Sequence, residues 1–140
     1  AFAIISQRFP VRISEDVCVP RDKMTEFILK MKEISQRNGV FIGFGGHAGD
    51  GNFHPGVGID VNDKDQQKRA RAAIDELIDA AVSLGGVISG EHGIGLEKLK
   101  YLKKAMDPAA FELMKKIKNT LDPDHIMNPG KIWEDAENGG

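Results

Sequence analysis

GFGGHAGDGNFHPGVG, residues Gly43–Gly58, contains seven glycines and two histidines in sixteen positions. With its flanks it forms two short runs, VFIGFGG and FHPGVGIDV, whose apolar and β-branched residues predict strands. The dipeptide Asp50-Gly51 between them is typical of a two-residue type I′ turn, because both central positions of that turn adopt positive φ. The sequence therefore predicts a central β-hairpin.

A two-residue turn also determines which residues of the hairpin face each other. Gly49 would face Asn52, and His47 would face His54 directly across the ladder, with Cβ atoms about 4.5–5.5 Å apart. That separation suits two imidazoles bound to one cation, and the surrounding glycines remove side chains that would block a ligand. Two histidines at a glycine-rich turn are also a common surface feature, so both interpretations stay open at this point.

A second segment, SGEHGIG at residues 89–95, places a carboxylate beside an imidazole between glycines. Glu91 could complete a set of two histidines and one carboxylate around a divalent metal with open positions, a set that zinc, manganese and iron all accept. His92 would then remain as an acid or base. An ordinary surface Glu-His pair is the alternative, because the sequence does not dictate that this segment lies beside the hairpin.

The remaining elements alternate between strand and helix. Residues 11–20 are rich in β-branched side chains and predict the first strand, and GVIS at residues 86–89 predicts a short fourth strand. Apolar residues recur at helical spacing across residues 22–39 and again from about residue 62 to residue 85. The order β-α-β-β-α-β predicts an α+β fold of the ferredoxin-like type, with two helices on one face of the sheet.

Two additional C-terminal helices are predicted, in LEKLKYLKKAM and in DPAAFELMKKIKNTL. Asp107 is expected to cap the second of these helices, and Pro108 to occupy its first position. Four apolar residues share one side of that helix and are expected to face inward: Phe111, Met114, Ile117 and Leu121. The polar residues 134–140 are expected to form a disordered tail.

Composition limits the functional classes. The chain has 140 residues, 41% of them hydrophobic, and its 19 basic and 21 acidic residues leave a net charge of −2, which argues against nucleic acid or anionic membranes as partners. The sequence shows neither a membrane span nor a signal peptide, so a cytoplasmic protein is expected. The single cysteine, Cys18, gives no functional hint. A first residue other than methionine, Ala1, favours a piece of a longer protein.

Four motifs carry a family resemblance: ISEDVCVPRDKM, HAGDGNFHP, GGVISGEHGIGLEK and LDPDHIMNPGKIW. They resemble the C-terminal substrate domain of FAD-linked 2-hydroxy-acid oxidoreductases, the family of the glycolate oxidase flavin subunit and the D-lactate dehydrogenases. The resemblance covers residues 11–133, and residues 1–10 would be a remnant of the upstream part of the same domain. These flavoproteins are of the vanillyl-alcohol-oxidase type, whose FAD is bound mainly by a separate N-terminal domain.

The resemblance implies a role for particular residues. The metal ligands would be His47, His54 and Glu91. His92 would be the catalytic base, and Asn128 and Lys131 of the NPGK motif would lie near the flavin, although a turn that ends a helix explains these two equally well. The chain contains neither GxGxxG nor GxxxxGK[ST], so we expect FAD binding to require the N-terminal domain. His125 is expected to be solvent-exposed and outside the site.

The implied chemistry is oxidation of a 2-hydroxy acid. The metal would bind the substrate's hydroxyl and carboxylate oxygens, His92 would accept the hydroxyl proton, and hydride would move from C2 to the flavin. The isolated domain is expected to be inactive and to form a symmetric dimer through the face that meets the FAD domain. The alternatives are a free-standing metal-binding or protein-interaction module, and a hydrolase or oxygenase that uses the same ligands without flavin.

Overall fold

A computed structural model of the protein describes residues 11–131, and its contacts divide the chain between His92 and Gly93 into two compact units. The strands are β1 (Val11–Ser14), β2 (Val17–Cys18), β3 (Ile42–His47) and β4 (Asn52–Ile59). The α-helices are α1 (Met24–Asn38), α2 (Lys64–Ser83), α3 (Leu99–Ala105) and α4 (Pro108–Leu121), and a 3₁₀ turn at Arg21–Lys23 precedes α1.

The first unit is built on an antiparallel sheet whose central strand is β4. It pairs with β3 on one side and with both β1 and β2 on the other, and β1 and β2 share one register with it. They therefore act as one strand, interrupted at residues 15–16. Val87 forms an antiparallel bridge with Cys18 on the outer side of β2, so the predicted fourth strand is reduced to a single bridge. The predicted α+β class is confirmed, and the elements follow the order β-α-β-β-α with the bridge at Val87 in the place of the last strand.

Two helices cover one face of this sheet. Gly39 caps the C-terminal end of α1, and its φ of 58° is the left-handed conformation that glycine adopts readily. Asp63 caps the start of α2, where its carboxylate accepts a hydrogen bond from the Gln66 amide at 2.9 Å. The Phe27 ring from α1 packs edge-on against the Phe53 ring from β4 at 5.2 Å. Successive side chains of a strand alternate between faces, so His54 and Gly56 lie on the face opposite these helices.

The hairpin register differs from the prediction. His47 is paired with Asn52 and Gly45 with His54, so the turn contains four residues, 48–51, and the predicted two-residue turn is wrong. The end of β2 holds this longer loop: the Val19 amide donates to the Gly51 carbonyl at 3.0 Å, and the Cys18 thiol donates to the Asp50 carbonyl at 3.1 Å. The two histidines are consequently diagonal neighbours on one face rather than a directly opposed pair.

In the second unit, α4 begins as predicted, but its apolar side is not buried as predicted. Asp107 accepts hydrogen bonds from the amides of Ala109 and Ala110 at 2.9 and 3.2 Å, which confirms the predicted cap. The predicted inward face is wrong, because the exposed fractions of Met114, Ile117 and Leu121 are 40, 52 and 76%. Helical periodicity identifies the apolar side of a helix, but it does not supply the surface that covers that side.

Two further expectations concern the ends of the chain and the membrane. The predicted upstream remnant at residues 1–10 and the predicted disordered tail at residues 134–140 lie outside the described residues, and both stay predictions. Among the helices between residues 11 and 131, none combines the length and the apolar character needed to cross a membrane.

Candidate active site

The candidate site lies on the sheet face opposite the two helices. Because β1 and β2 share a register with β4, Asp16 lies opposite His54, and Gly45 of β3 lies opposite His54 on its other side. Gly45 has no side chain, so the neighbouring position on β3 leaves room around the His54 ring. His47 lies two residues further along β3, and its ring centroid is 5.4 Å from that of His54, with the planes at 87°.

Glu91 joins the two histidines. Its Oε1 atom lies 3.1 Å from His54 Nε2 and 3.6 Å from His47 Nε2. One donor atom from each of the three residues lies within 4.8 Å of the other two. The side chains of His47 and Glu91 are about half exposed, at 56 and 48%, whereas that of His54 is 15% exposed. The three residues singled out in the sequence therefore form one cluster that is open to solvent on one side.

His92 adjoins this cluster. Its ring stacks on the His54 ring with a centroid distance of 5.0 Å and an interplanar angle of 9°. Its Nε2 atom is 3.7 Å from Glu91 Oε1, and its side chain is 56% exposed. Stacking on the less exposed His54 limits the orientations of the His92 ring while leaving its edge accessible. A group in this position can exchange a proton with a ligand that is bound at the cluster.

Asp16 holds the segment that carries Glu91 and His92. Its Oδ2 atom accepts four hydrogen bonds, from the Ser89 hydroxyl at 2.7 Å and from the backbone amides of Gly90, Glu91 and His92 at 2.9, 2.9 and 2.8 Å. The side chain is completely buried. The sequence motifs do not include this residue among the site candidates. The signal for it is the acidic pair inside the β-branched run ISEDVCV, since a buried carboxylate requires dedicated donors.

A second cluster shares His54. One donor atom each from Asp16, His54 and His92 also lies within 4.8 Å of the others. Asp16 is buried, and its Oδ2 atom already accepts four hydrogen bonds from the Ser89–His92 segment, which stabilise its negative charge. The set of His47, His54 and Glu91 fits a catalytic divalent metal better, because two imidazoles and one carboxylate with an open side are the ligands such ions use.

Asn52 is a further polar residue near the candidate site. It lies between Cys18 and His47 in the strand register, and its side chain is buried. Its Oδ1 atom has no hydrogen-bond partner among residues 11–131. A buried amide oxygen normally has a partner, and strand alternation places Asn52 on the same face of the sheet as His54.

The predicted flavin-proximal residues lie in the second unit. Asn128 has a φ of 51°, and its carbonyl accepts a hydrogen bond from the Lys131 amide at 3.1 Å, so the NPGK motif forms a tight turn. Their proximity to a flavin stays a prediction. His125 is exposed, as expected.

Cys18 is not a candidate nucleophile. Burial raises the pKa of its thiol above the usual value of 9.0, and the charges of Asp16 and Asp50 raise that pKa further. The group therefore remains a neutral thiol at neutral pH, which agrees with the lack of a functional hint in the sequence.

Comparison with known proteins identifies the family. Residues 1–132 match the family model described as "FAD linked oxidases, C-terminal domain". The chain is 36% identical to glycolate oxidase subunit GlcD of Bacillus subtilis over 133 residues, which are 95% of this chain and 28% of the relative. It is 40% identical to the probable mitochondrial D-lactate dehydrogenase of Danio rerio over 121 residues, which are 86% of this chain and 24% of the relative. It is 43% identical to a D-lactate dehydrogenase of Archaeoglobus fulgidus over 117 residues, which are 84% of this chain and 26% of the relative.

The chain thus spans about a quarter of the length of these relatives. A family model that covers nearly every residue of the chain, together with these identities, is decisive: the chain belongs to the family of FAD linked oxidase C-terminal domains.

Proposed function

We propose that this chain is the substrate domain of a flavin-dependent dehydrogenase or oxidase of 2-hydroxy acids, of the glycolate or D-lactate type. The observation that carries the proposal is the meeting of one donor atom each from His47, His54 and Glu91 within 4.8 Å of one another, beside an exposed His92. The names of the relatives, glycolate oxidase subunit and D-lactate dehydrogenase, support the substrate class.

In this proposal His47, His54 and Glu91 hold a divalent ion. Two nitrogens and one oxygen suit zinc, manganese or iron, and three protein ligands leave positions for two oxygens of a substrate. When bound, the ion supplies Lewis-acid polarisation of the substrate hydroxyl, and the flavin of the companion domain serves as the hydride acceptor. The chain's own residues orient the hydroxy acid and remove its proton.

His92 is the proposed base. Its backbone amide is held by Asp16, and its ring is held against His54, so the imidazole has a defined position next to the ligand Glu91. A substrate hydroxyl bound between these groups lies within reach of a His92 ring nitrogen, which accepts its proton. Neighbouring residues thus have different tasks: Glu91 contributes a ligand oxygen and His92 accepts the proton.

The proposed companion is the FAD-binding domain of the same protein, with Asn128 and Lys131 near the flavin. The isolated chain is then inactive, and the complete protein acts in the cytoplasm. Measuring FAD in the purified full natural chain distinguishes this assignment from a free-standing metal-binding module. Bound FAD is expected only if the proposal is right.

The test uses the full natural protein with two substitutions, Glu91→Gln and His92→Ala, and with His125→Ala as a control. Glu91→Gln removes the anionic ligand, so bound metal and flavin reduction by substrate should both be lost. His92→Ala should keep metal and FAD while it slows flavin reduction by about 10²–10⁴-fold, the usual contribution of a general base. His125→Ala should match the unmodified protein.

The measurements are metal content and rapid-mixing flavin reduction with glycolate, D-lactate and D-2-hydroxyglutarate. Loss of metal in His92→Ala with retention in Glu91→Gln would reverse the two roles. Unchanged flavin reduction in both variants would remove these residues from the chemistry.

A further inference from the structure

Arg12 lies on the face of the sheet that carries the candidate metal ligands. It is paired with Gly58 of β4, and His54 lies four residues earlier on the same strand. Residues of one strand that are an even number of positions apart share a face, and so do directly opposed residues of paired strands. Arg12 and His54 therefore belong to the same face, although the proposed function gives Arg12 no task.

The Arg12 side chain extends from this position toward His54. A Cβ atom built at Gly56, which lies between Gly58 and His54 on this face, would be 3.7 Å from Arg12 Cδ. Arg12 thus reaches the row of side-chain positions next to that of His54, roughly 7 Å along the strand. The residue is exposed, and its guanidinium has five N–H donors, so it can bind a carboxylate in addition to the contacts that it makes within the chain.

The residues of the row between Arg12 and the candidate metal ligands have small side chains or none. In this row Gly56 of β4 is paired with Gly43 of β3 on one side and with Ser14 of β1 on the other. Glycine in a strand lets a ligand approach the backbone closely. A molecule bound at the metal ligands can therefore extend along β4 toward Arg12 without meeting a large side chain from this row, and the exposed Ser14 hydroxyl is a further donor there.

In the proposed function, the metal ligands hold one end of the substrate. The metal binds the hydroxyl and the C1 carboxylate, so the remaining carbon atoms extend away from it. We propose that Arg12 binds a second carboxylate at the far end of the substrate, which favours a 2-hydroxy dicarboxylic acid such as D-2-hydroxyglutarate over D-lactate. A guanidinium binds a carboxylate through two parallel hydrogen bonds, which adds geometric specificity to the attraction of opposite charges. This role of Arg12 rests on the proposed function.

Two substitutions of Arg12 test this role in the full natural protein with its metal and FAD. Arg12→Gln removes the charge, so the ratio of kcat/KM for D-2-hydroxyglutarate to kcat/KM for D-lactate should fall about 10–100-fold, the effect of losing a hydrogen-bonded charged partner. The loss should appear mainly as a higher KM for D-2-hydroxyglutarate, because the far carboxylate is bound equally before and during hydride transfer. Arg12→Lys keeps the charge without the paired donors and should recover part of the ratio.

Arg71→Gln is the matched control. Arg71 is an exposed residue of α2, which covers the opposite face of the sheet, and its substitution makes the same change of charge. If the ratio depends only on the net charge of the protein, Arg71→Gln and Arg12→Gln behave alike. The ratio is measured by steady-state kinetics, and the FAD content of each variant shows that it is folded.

A ratio that Arg12→Gln leaves unchanged, or that Arg71→Gln lowers equally, overturns the role of Arg12, while flavin reduction by both substrates still supports the proposed function. An equal loss with D-lactate and D-2-hydroxyglutarate also overturns it, because D-lactate has no second carboxylate. So does an unmodified protein that oxidises D-lactate more efficiently than D-2-hydroxyglutarate. If Arg12→Gln does not fold, Arg12→Lys decides, since an unchanged ratio in that variant contradicts bidentate binding. If no 2-hydroxy acid reduces the flavin of the unmodified protein, the proposed function fails and the role of Arg12 fails with it.

Discussion

At the scale of single residues, Gly90 shows how closely the site is packed. A Cβ atom at this position would lie 2.8 Å from the side-chain amide atoms of Asn52, which is closer than such contacts allow. The Gly90 amide also donates to Asp16, so the segment cannot move outward without losing that hydrogen bond. Absence of a side chain at residue 90 is therefore a condition for bringing Glu91 to the histidines.

Gly90→Ala is expected to displace the Ser89–His92 segment. The cost in unfolding free energy should be about 1–3 kcal/mol, as for other overpacked positions, and zinc affinity should fall with it. Gly49→Ala is the control, because a Cβ atom there meets open space among the described residues and its effect should stay within about 0.5 kcal/mol. Denaturant unfolding and zinc titration measure both effects, and equal results for the two variants would contradict the packing argument.

Cys18 carries a second prediction at this scale. Because burial and two acidic neighbours raise the pKa of its thiol, reaction with iodoacetamide at neutral pH should be slower in the folded protein than in denaturant. The rate in the folded protein should still be rising with pH above 9.0, the usual thiol pKa, where the rate in denaturant levels off. Mass spectrometry over a pH series gives both rates, and equal rates at pH 7 would show that the thiol is not shielded.

At the scale of elements, the turn after α4 is held by Asp122. Its carboxylate pairs with Lys118 and accepts the amides of Ile126 and Met127 at 3.0 and 3.1 Å, and Lys118 also donates to the Met127 carbonyl at 2.7 Å. These contacts connect the last turn of the helix with the chain that leads to the NPGK motif. The hydrogen bond from Lys118 is the main cause that lowers the pKa of Asp122.

The lowered pKa predicts an acid-sensitive contribution to stability. The folded pKa lies below the unfolded value, so the contribution is fully present above about pH 4 and is lost as the pH falls through the folded pKa. Asp122→Asn should therefore destabilise the protein at pH 7, and the difference from the unmodified protein should shrink below about pH 4. Denaturant unfolding at a series of pH values tests this, and a difference that is constant down to pH 3 would argue against it.

At the scale of the whole molecule, one side of α4 exposes apolar residues to solvent in the described part of the chain. The exposed fractions of Leu113, Ile117 and Leu121 are 57, 52 and 76%. Exposed apolar surface of this kind favours contact with another protein surface, and a symmetric dimer is the commonest way to cover it.

The 140-residue chain on its own is expected to self-associate at high micromolar concentration. Ile117→Glu introduces a charge into the apolar side of α4 and should shift the chain toward the monomer, whereas Asn119→Glu adds the same charge at an exposed polar position and should not. Light scattering measures the mass of each variant. A strictly monomeric unmodified chain would contradict this expectation, and an equal response of the two variants would place the contact elsewhere.

Local patterns in the sequence were sufficient for much of this molecule. Alternating and helical periodicities predicted the helices, the first strand and the two hairpin strands, because each periodicity depends on neighbours within a few residues. Of the predicted fourth strand only the bridge at Val87 forms. The same reasoning found the cap at Asp107. The motifs HAGDGNFHP and SGEHG also contained the histidines and the glutamate that meet in the candidate site.

What depended on long-range contacts could not be read from those patterns. The hairpin register follows from hydrogen bonds between β2 and a turn 32 residues later, which favour a four-residue loop over the two-residue turn that Asp50-Gly51 suggests. Asp16 acquires its donors from a segment 73–76 residues away, so its burial emerges only when the strands pair. Local propensity determines whether a segment forms a helix or a strand and which of its sides is apolar. Pairing and packing between distant segments determine the register of a strand, the neighbours of each element and the surface that covers an apolar side.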